Sequence, residues 1–86
     1  MQLLTNARKK AVGFKQSLKA IERGAAHTAY LASDAEEKIR RPILEACKEN
    51  NVPIVEGKSM TELGKASGIQ IGTAVAVVLE PGLSEK

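Results

Sequence analysis

The chain has 86 residues, of which 43% are hydrophobic and only 2% aromatic, so its length suits a single small hydrophobic core. Its longest uninterrupted apolar run, residues 74–79, is far shorter than the ~18 residues that a membrane-spanning helix needs. The single cysteine, Cys47, excludes an intramolecular disulfide and a cysteine-based zinc scaffold, which favours a cytoplasmic protein. We therefore expect one domain over residues 1–86, with no membrane segment, metal or cofactor.

Charge is unevenly distributed along the chain. Residues 1–24 carry six basic side chains against one acidic side chain, a net charge of +5, whereas residues 25–86 carry seven basic and nine acidic side chains, a net charge of −2. A positive field confined to the first quarter of the chain favours an anionic partner there, and nucleic acid is the commonest such partner of a small basic domain. The alternative, from charge alone, is a solvated basic face with no partner.

Hydrophobic periodicity predicts two helices at the start of the chain. Residues 3–11 carry apolar side chains at helical spacing and predict a short first helix. Phe14, Leu18 and Ile21 then recur at i, i+4 and i+7, which predicts a second, amphipathic helix. Gly24 ends that helix, because a glycine just after the last periodic residue is a typical C-terminal signal.

The middle of the chain predicts a strand and then helical structure. Residues 28–32 form a short apolar run with β-favouring side chains, which predicts a strand. Ser33 and Asp34 follow it and can cap the next helix. Because proline is tolerated only in the first turn of a helix, Pro42 predicts that residues 36–50 divide into a short helical turn and a main helix from Pro42.

The last third of the chain predicts two strands on either side of a helix. Residues 52–55 predict a second strand, in which Pro53 indicates either an edge strand or the start of a strand. Ser59 and Glu62 have the spacing of a capping box and predict a helix over residues 59–67. Residues 74–79 are short, apolar and rich in valine, which predicts a central strand. This alternation predicts an α/β fold, a three-layer α-β-α sandwich with a small central mixed sheet.

The helix after Gly13 carries the candidate binding residues. On a helical wheel, a polar stripe lies opposite the apolar residues and comprises Lys15, Gln16, Lys19 and Arg23. Lysine side chains can neutralise phosphates, and the glutamine amide can read the edge of a base. The alternative is an ordinary solvated helix face.

Three stretches of the sequence together resemble one known family. They are residues 13–24 (GFKQSLKAIERG), 51–55 (NVPIV) and 63–72 (LGKASGIQIG), and the likeness covers almost the whole chain in order. The chain is similar to the kink-turn-binding ribosomal proteins of the L7Ae/L30e type, and most similar to their bacterial YbxF-type members. The resemblance implies a three-layer α-β-α fold that binds kink-turn RNA, a duplex sharply bent at a bulge flanked by tandem sheared G·A pairs.

The resemblance also implies which residues meet the RNA. Polar residues at the start of the helix contact the G·A pairs, and a second loop, matched here by residues 69–72, packs against the unstacked bulge nucleotides. The implied RNA-binding residues are Gly13, Phe14, Lys15, Gln16, Lys19, Arg23, Ile69, Gln70, Ile71 and Gly72. The alternative is that Ile69 and Ile71, or one of the two, are core residues. Gly72 is expected to allow close approach of RNA backbone, so that a bulky substitution there costs binding but little stability.

The expected function is non-catalytic recognition of a kink-turn by a monomer, in ribosomal RNA, a riboswitch or another structured RNA. The chain has neither a Gly-x-Gly-x-x-Gly or Walker sequence nor the aromatic residues of a base-stacking platform. One alternative is a structural component of the large ribosomal subunit. A second is a small enzyme that uses Cys47 or His27, although Cys47 lies on an apolar helix stripe and His27 in a predicted surface turn.

Overall fold

The structure is a computed structural model and describes residues 4, 5, 9–69 and 71–79 of the chain. Helices and strands alternate along these residues. In chain order they are β1 (Lys10–Val12), α1 (Phe14–Glu22), β2 (Ala26–Leu31), α2 (Glu37–Glu49), β3 (Ile54–Val55), α3 (Met60–Ser67) and β4 (Val75–Leu79).

The strands of the described residues form a four-stranded mixed sheet in the order β1-β4-β2-β3. β4 pairs antiparallel with both β1 and β2, and β2 pairs parallel with β3. The prediction that β4 is central is therefore confirmed, and β3 lies at an edge of this sheet, one of the two positions that Pro53 indicates.

Helices cover both faces of this sheet. On one face, Ile21 of α1 and Ile43 of α2 are fully buried against Val77 of β4. On the opposite face, Leu63 of α3 packs in a second cluster with Val78 of β4. Because β4 contributes buried side chains to both clusters, the sheet is the middle layer. The predicted three-layer α-β-α sandwich is confirmed.

The predicted first helix is wrong at its C-terminal end. Lys10 and Ala11 belong to β1, where Ala11 is buried in register with β4. A central strand needs hydrogen-bond partners on both sides, and this long-range pairing overrides the helical spacing of the apolar residues. The prediction is confirmed at residues 4 and 5, which are helical, and its residues 3 and 6–8 lie outside the described part of the chain.

Helix α2 is continuous, so the prediction that Pro42 divides it is wrong. Pro42 lies inside the helix, beyond its first turn. The missing N–H of proline leaves the carbonyl four residues earlier, on Lys38, without its helical donor. Lys38 is exposed, so water can donate to this carbonyl instead. Ile43 and Ala46 are buried and hold the helix on the sheet.

Candidate nucleic-acid interface

Helix α1 begins directly after Gly13, in a turn that requires glycine. Gly13 has φ 99° and ψ 163°, a region of backbone conformation that is essentially closed to residues with a side chain. Its N–H donates to the carbonyl of Val75 in β4, and its carbonyl accepts from the N–H of Ser17, both at 3.0 Å. The turn therefore fixes the start of α1 against the central strand.

The polar stripe of α1 faces solvent, as the helical wheel predicts. Its exposed residues are Lys15, Gln16, Lys19 and Arg23. Phe14, which the resemblance places with them, is half-buried and packs against the core. The first turn holds no acidic residue and the N-cap offers no side-chain hydrogen bond, so the first N–H groups of the helix remain available to an anion.

Three basic side chains of α2 have carboxylate partners, whereas the basic side chains of the α1 stripe have none among the described residues. Three basic side chains of α2 form ion pairs: Lys38 with Glu36 at 3.6 Å, Arg40 with Glu56 at 2.7 Å and Arg41 with Glu37 at 3.8 Å. Lys15, Lys19 and Arg23 of the α1 stripe have no carboxylate within 4.0 Å among the described residues. Their charge is therefore not neutralised within the described structure, and α1 is a source of positive field.

The loop between α3 and β4 lies beside the start of α1. The carbonyl of Val75 accepts the N–H of Gly13 at 3.0 Å and also the hydroxyl of Thr73 at 2.9 Å. Thr73 belongs to the loop and is buried. One carbonyl thus accepts hydrogen bonds from Gly13, at the start of α1, and from Thr73, which follows the residues 69–72 that the resemblance assigns to RNA binding.

This loop presents a large apolar side chain to solvent. Ile71 is 75% exposed, so the alternative that it is a core residue is wrong. Ile69 is half-buried, and its N–H donates to the carbonyl of Gly64 in α3 at 3.1 Å. Gln70, also assigned to the site, lies outside the described residues. An isoleucine this exposed gains little from the protein core and is suited to cover an unpaired base.

Two glycines allow the loop to lie directly on α3. A Cβ atom on Gly64 would overlap the carbonyl oxygen of Ile71, and one on Gly72 would lie 3.1 Å from the carbonyl oxygen of Met60. The N–H of Thr73 donates to that same Met60 carbonyl at 3.1 Å. A side chain at Gly72 therefore requires the first turn of α3 to give by a few tenths of an ångström. That Gly72 can be enlarged with little loss of stability stays a prediction.

Helix α3 is itself held at its start by two sets of hydrogen bonds. Ser59 and Glu62 form the predicted capping box, in which the Ser59 N–H donates to Glu62 Oε1 at 2.9 Å and the Glu62 N–H donates to Ser59 Oγ at 3.2 Å. The bond from the Ser59 N–H lowers the pKa of Glu62. Asp34 was expected to cap the helix that follows it, but instead accepts from the Met60 N–H at 2.9 Å. α2 begins after Glu36 with no side-chain cap.

Thr73 and Gly64 both hold the loop in its position. The sequence did not identify Thr73, and it gave Gly64 no role in positioning the loop. The signal for Gly64 was available, because a glycine inside a predicted helix often marks a close backbone approach. No local pattern marks Thr73, since its role depends on the Val75 carbonyl and on the Met60 carbonyl of a different element.

Neither Cys47 nor His27 has the surroundings of a catalytic residue. Cys47 is buried in the core, and this burial raises the pKa of its thiol, which keeps the thiol protonated at neutral pH. His27 is exposed in β2 rather than in a turn, and its Nδ1 lies 2.7 Å from the hydroxyl of Thr28. Within the described ranges no three His, Cys, Asp or Glu side chains are grouped as metal ligands. No helix there combines the length and apolar character needed to cross a membrane.

Several proteins are similar to this chain in sequence. A Geobacillus sp. RNA-binding protein is 41% identical over 73 residues, which cover 85% of this chain and 89% of that protein. An RNA-binding protein of Caldanaerobacter subterraneus is 44% identical over 68 residues, covering 79% and 83% of the two chains. RNA-binding protein YbxF of Geobacillus stearothermophilus is 38% identical over 73 residues, covering 85% and 89%.

Two solved structures share the fold of this chain, and a family model matches its sequence. The 15.5kD RNA binding protein of Giardia lamblia superposes with a TM-score of 0.81 at 28% identity, covering 96% of this chain and 73% of that one. A Bacillus halodurans protein of unknown function superposes with a TM-score of 0.80 at 28% identity, covering 96% and 83%. The family model matches residues 1–86. As the resemblance of its three sequence stretches predicts, the chain belongs to the ribosomal protein L7Ae/L30e/S12e/Gadd45 family.

Proposed function

We propose that this protein binds RNA and recognises kink-turns, without catalysis, through helix α1 and the loop between α3 and β4. The observation that carries the proposal is the Val75 carbonyl, which joins the start of α1 to the loop that presents Ile71. The names of the bacterial relatives support RNA as the partner. The kink-turn as the class of RNA is supported by the resemblance of residues 13–24.

The start of α1 is suited to a pair of sheared G·A base pairs. Lys15, Gln16 and Lys19 are exposed along one side of the helix. The lysines donate hydrogen bonds and carry charge, while the glutamine amide offers both a donor and an acceptor to a base edge. Because the turn at Gly13 holds the helix on β4, these groups are presented from a rigid support.

The loop is suited to the unpaired nucleotides beside those base pairs. Specific RNA recognition commonly rests on splayed bases that lie against apolar or planar side chains. Ile71 offers such a surface, and its backbone is supported by α3, which approaches it at Gly64. A polar helix start and an exposed apolar side chain are thus held side by side, as are a stem and a bulge in a kink-turn.

The proposal is tested by the affinity of the wild-type protein for two RNAs. One is a kink-turn duplex, and the other is the same duplex with its G·A pairs replaced by Watson-Crick pairs. We expect the kink-turn to bind at least about tenfold more tightly at the same salt concentration, a difference of about 1.4 kcal/mol. Equal affinities would reduce the site to a non-specific basic surface and would contradict the proposal.

Ile71→Ser should weaken kink-turn binding by about 1 to 3 kcal/mol, the range for burying a large apolar side chain. Because Ile71 is 75% exposed, the free energy of unfolding should not fall. Val55→Ser is the matched control, since Val55 is 39% exposed in β3 at the other edge of the sheet. RNA titration and chemical denaturation of both variants measure the two effects. Wild-type affinity in Ile71→Ser would show that the loop does not contact the RNA.

A further inference from the structure

A groove of about 400 Å³ lies between helix α1 and strand β1, at the edge of the sheet. Half of the described residues that line it are polar, and the others are alanines and a leucine. The polar residues are Lys10, Gln16, Lys19 and Arg23. Three of these belong to the α1 stripe, whereas Lys10 comes from β1 and has no role in the proposed interface.

The groove is positively charged and has no countercharge among its described residues. Lys10, Lys19 and Arg23 contribute three positive charges, and none of the described residues that line the groove is acidic. None of the three pairs with a carboxylate among residues 4, 5, 9–69 and 71–79. Like charges gathered around a concave surface repel one another, and a polyanion in the groove removes that repulsion. The charge is therefore complementary to a row of phosphates.

The groove continues from the proposed interface. Gln16 lies in the first turn of α1 and Arg23 directly follows its last residue, so the groove extends about 10 Å along the helix at a rise of 1.5 Å per residue. A nucleic-acid strand that meets the start of α1 can continue along this path. Lys10 then faces the strand from the β1 side, opposite the α1 cations.

We propose that this groove holds backbone phosphates of one of the two stems of the kink-turn, and that Lys10 contacts them. The inference rests on the proposed function, because the occupant is part of the same RNA. It adds a contact that the sequence pattern did not identify, since the apolar spacing of residues 3–11 predicted a helix where Lys10 lies on a strand. Phosphate contacts of this kind position the RNA and strengthen binding without reading bases.

The test compares Lys10→Gln with Lys9→Gln. Each variant loses one positive charge at neighbouring positions, but Lys9 is exposed and does not line the groove. Each protein is titrated with a kink-turn RNA that has two long stems, and with RNAs in which one stem or the other is trimmed. Lys10→Arg keeps the charge and should bind as the wild type does. Circular dichroism checks that every variant is folded.

With the long-stemmed RNA, Lys10→Gln should bind roughly two- to fivefold more weakly, as expected for one solvent-accessible ion pair. The slope of log affinity against log salt concentration should fall by about one, while Lys9→Gln changes both quantities less. Trimming the stem that occupies the groove should weaken the wild type by at least this factor and should weaken Lys10→Gln less, because only the contacts of Lys19 and Arg23 are left to lose.

Two results would overturn the groove assignment. One is an equal effect of Lys10→Gln and Lys9→Gln on every RNA, and the other is a loss on trimming that is as large in Lys10→Gln as in the wild type. Neither result alters the wild-type preference for the kink-turn over the duplex without G·A pairs. Failure of the groove and failure of the proposed function are therefore distinguished by the same set of titrations.

Discussion

Lys19→Ala should weaken kink-turn binding by about 1 to 3 kcal/mol and reduce the preference for the kink-turn over the duplex without G·A pairs. Lys19 is exposed one turn after Lys15 and has no ionic partner among the described residues. The helix that carries it starts at a backbone turn fixed to Val75. The backbone under Lys19 is therefore fixed before RNA binds, so its ammonium group is presented from one defined position, and its removal should affect specific binding most.

Lys9→Ala is the control for this prediction. It removes the same charge from the same basic quarter of the chain, but Lys9 precedes β1 and lies on no helix, contrary to the sequence prediction. Its loss should lower the affinity for both RNAs slightly and about equally. Titration of both variants against both RNAs, after circular dichroism, measures the difference. If Lys9→Ala loses as much discrimination as Lys19→Ala, α1 is not the element that reads the RNA.

Helix α1 and its exposed stripe could be predicted from the sequence because the signals are local and agree. The apolar spacing of Phe14, Leu18 and Ile21 sets the buried face, and the opposite residues are exposed in the structure. Helix α3 could be predicted equally well, because Ser59 and Glu62, which form its capping box, are neighbours at its first turn. In both helices the residues that decide the structure lie within a few positions of one another.

The errors occur where distant residues decide the structure. β1 exists because β4 needs a second hydrogen-bonded neighbour, and β4 lies at the other end of the chain. Asp34 caps a helix that begins 26 residues later rather than the next one. None of these contacts leaves a pattern in a short window of sequence.

The candidate site shows the same division between local and distant effects. Residue types and resemblance select the α1 stripe and residues 69–72, but the turn before α1 is linked to the loop at the Val75 carbonyl, which accepts the Gly13 N–H and the Thr73 hydroxyl. The bond from Gly13 is made by backbone alone and joins distant parts of the chain, so no side-chain pattern encodes it. Gly72 is a second example of a distant effect. Its close approach to Met60 favours a residue without a side chain, as an approach of RNA would also do.

Gly64→Ala should lower the free energy of unfolding by about 1 to 3 kcal/mol, the usual cost of overpacking a buried position. Helix propensity acts in the opposite direction, since alanine in place of glycine stabilises a helix interior by up to about 1 kcal/mol. The steric effect should win, because the new Cβ would overlap the carbonyl oxygen of Ile71 and lie 3.0 Å from the Cα of Gly72. Both atoms belong to backbone, so the contact is relieved only when the loop moves.

Lys65→Ala provides the matched control, because Lys65 is the next residue of α3 and is exposed. Its free energy of unfolding, measured by chemical denaturation, should lie within about 0.5 kcal/mol of the wild-type value. Since the displaced loop carries Ile71, Gly64→Ala should also bind the kink-turn more weakly under conditions in which circular dichroism shows it fully folded. Lys65→Ala leaves the loop in place and should keep its preference for the kink-turn. Should Gly64→Ala prove as stable as the wild type, helix propensity would outweigh the contact, and α3 would not be the support that positions Ile71.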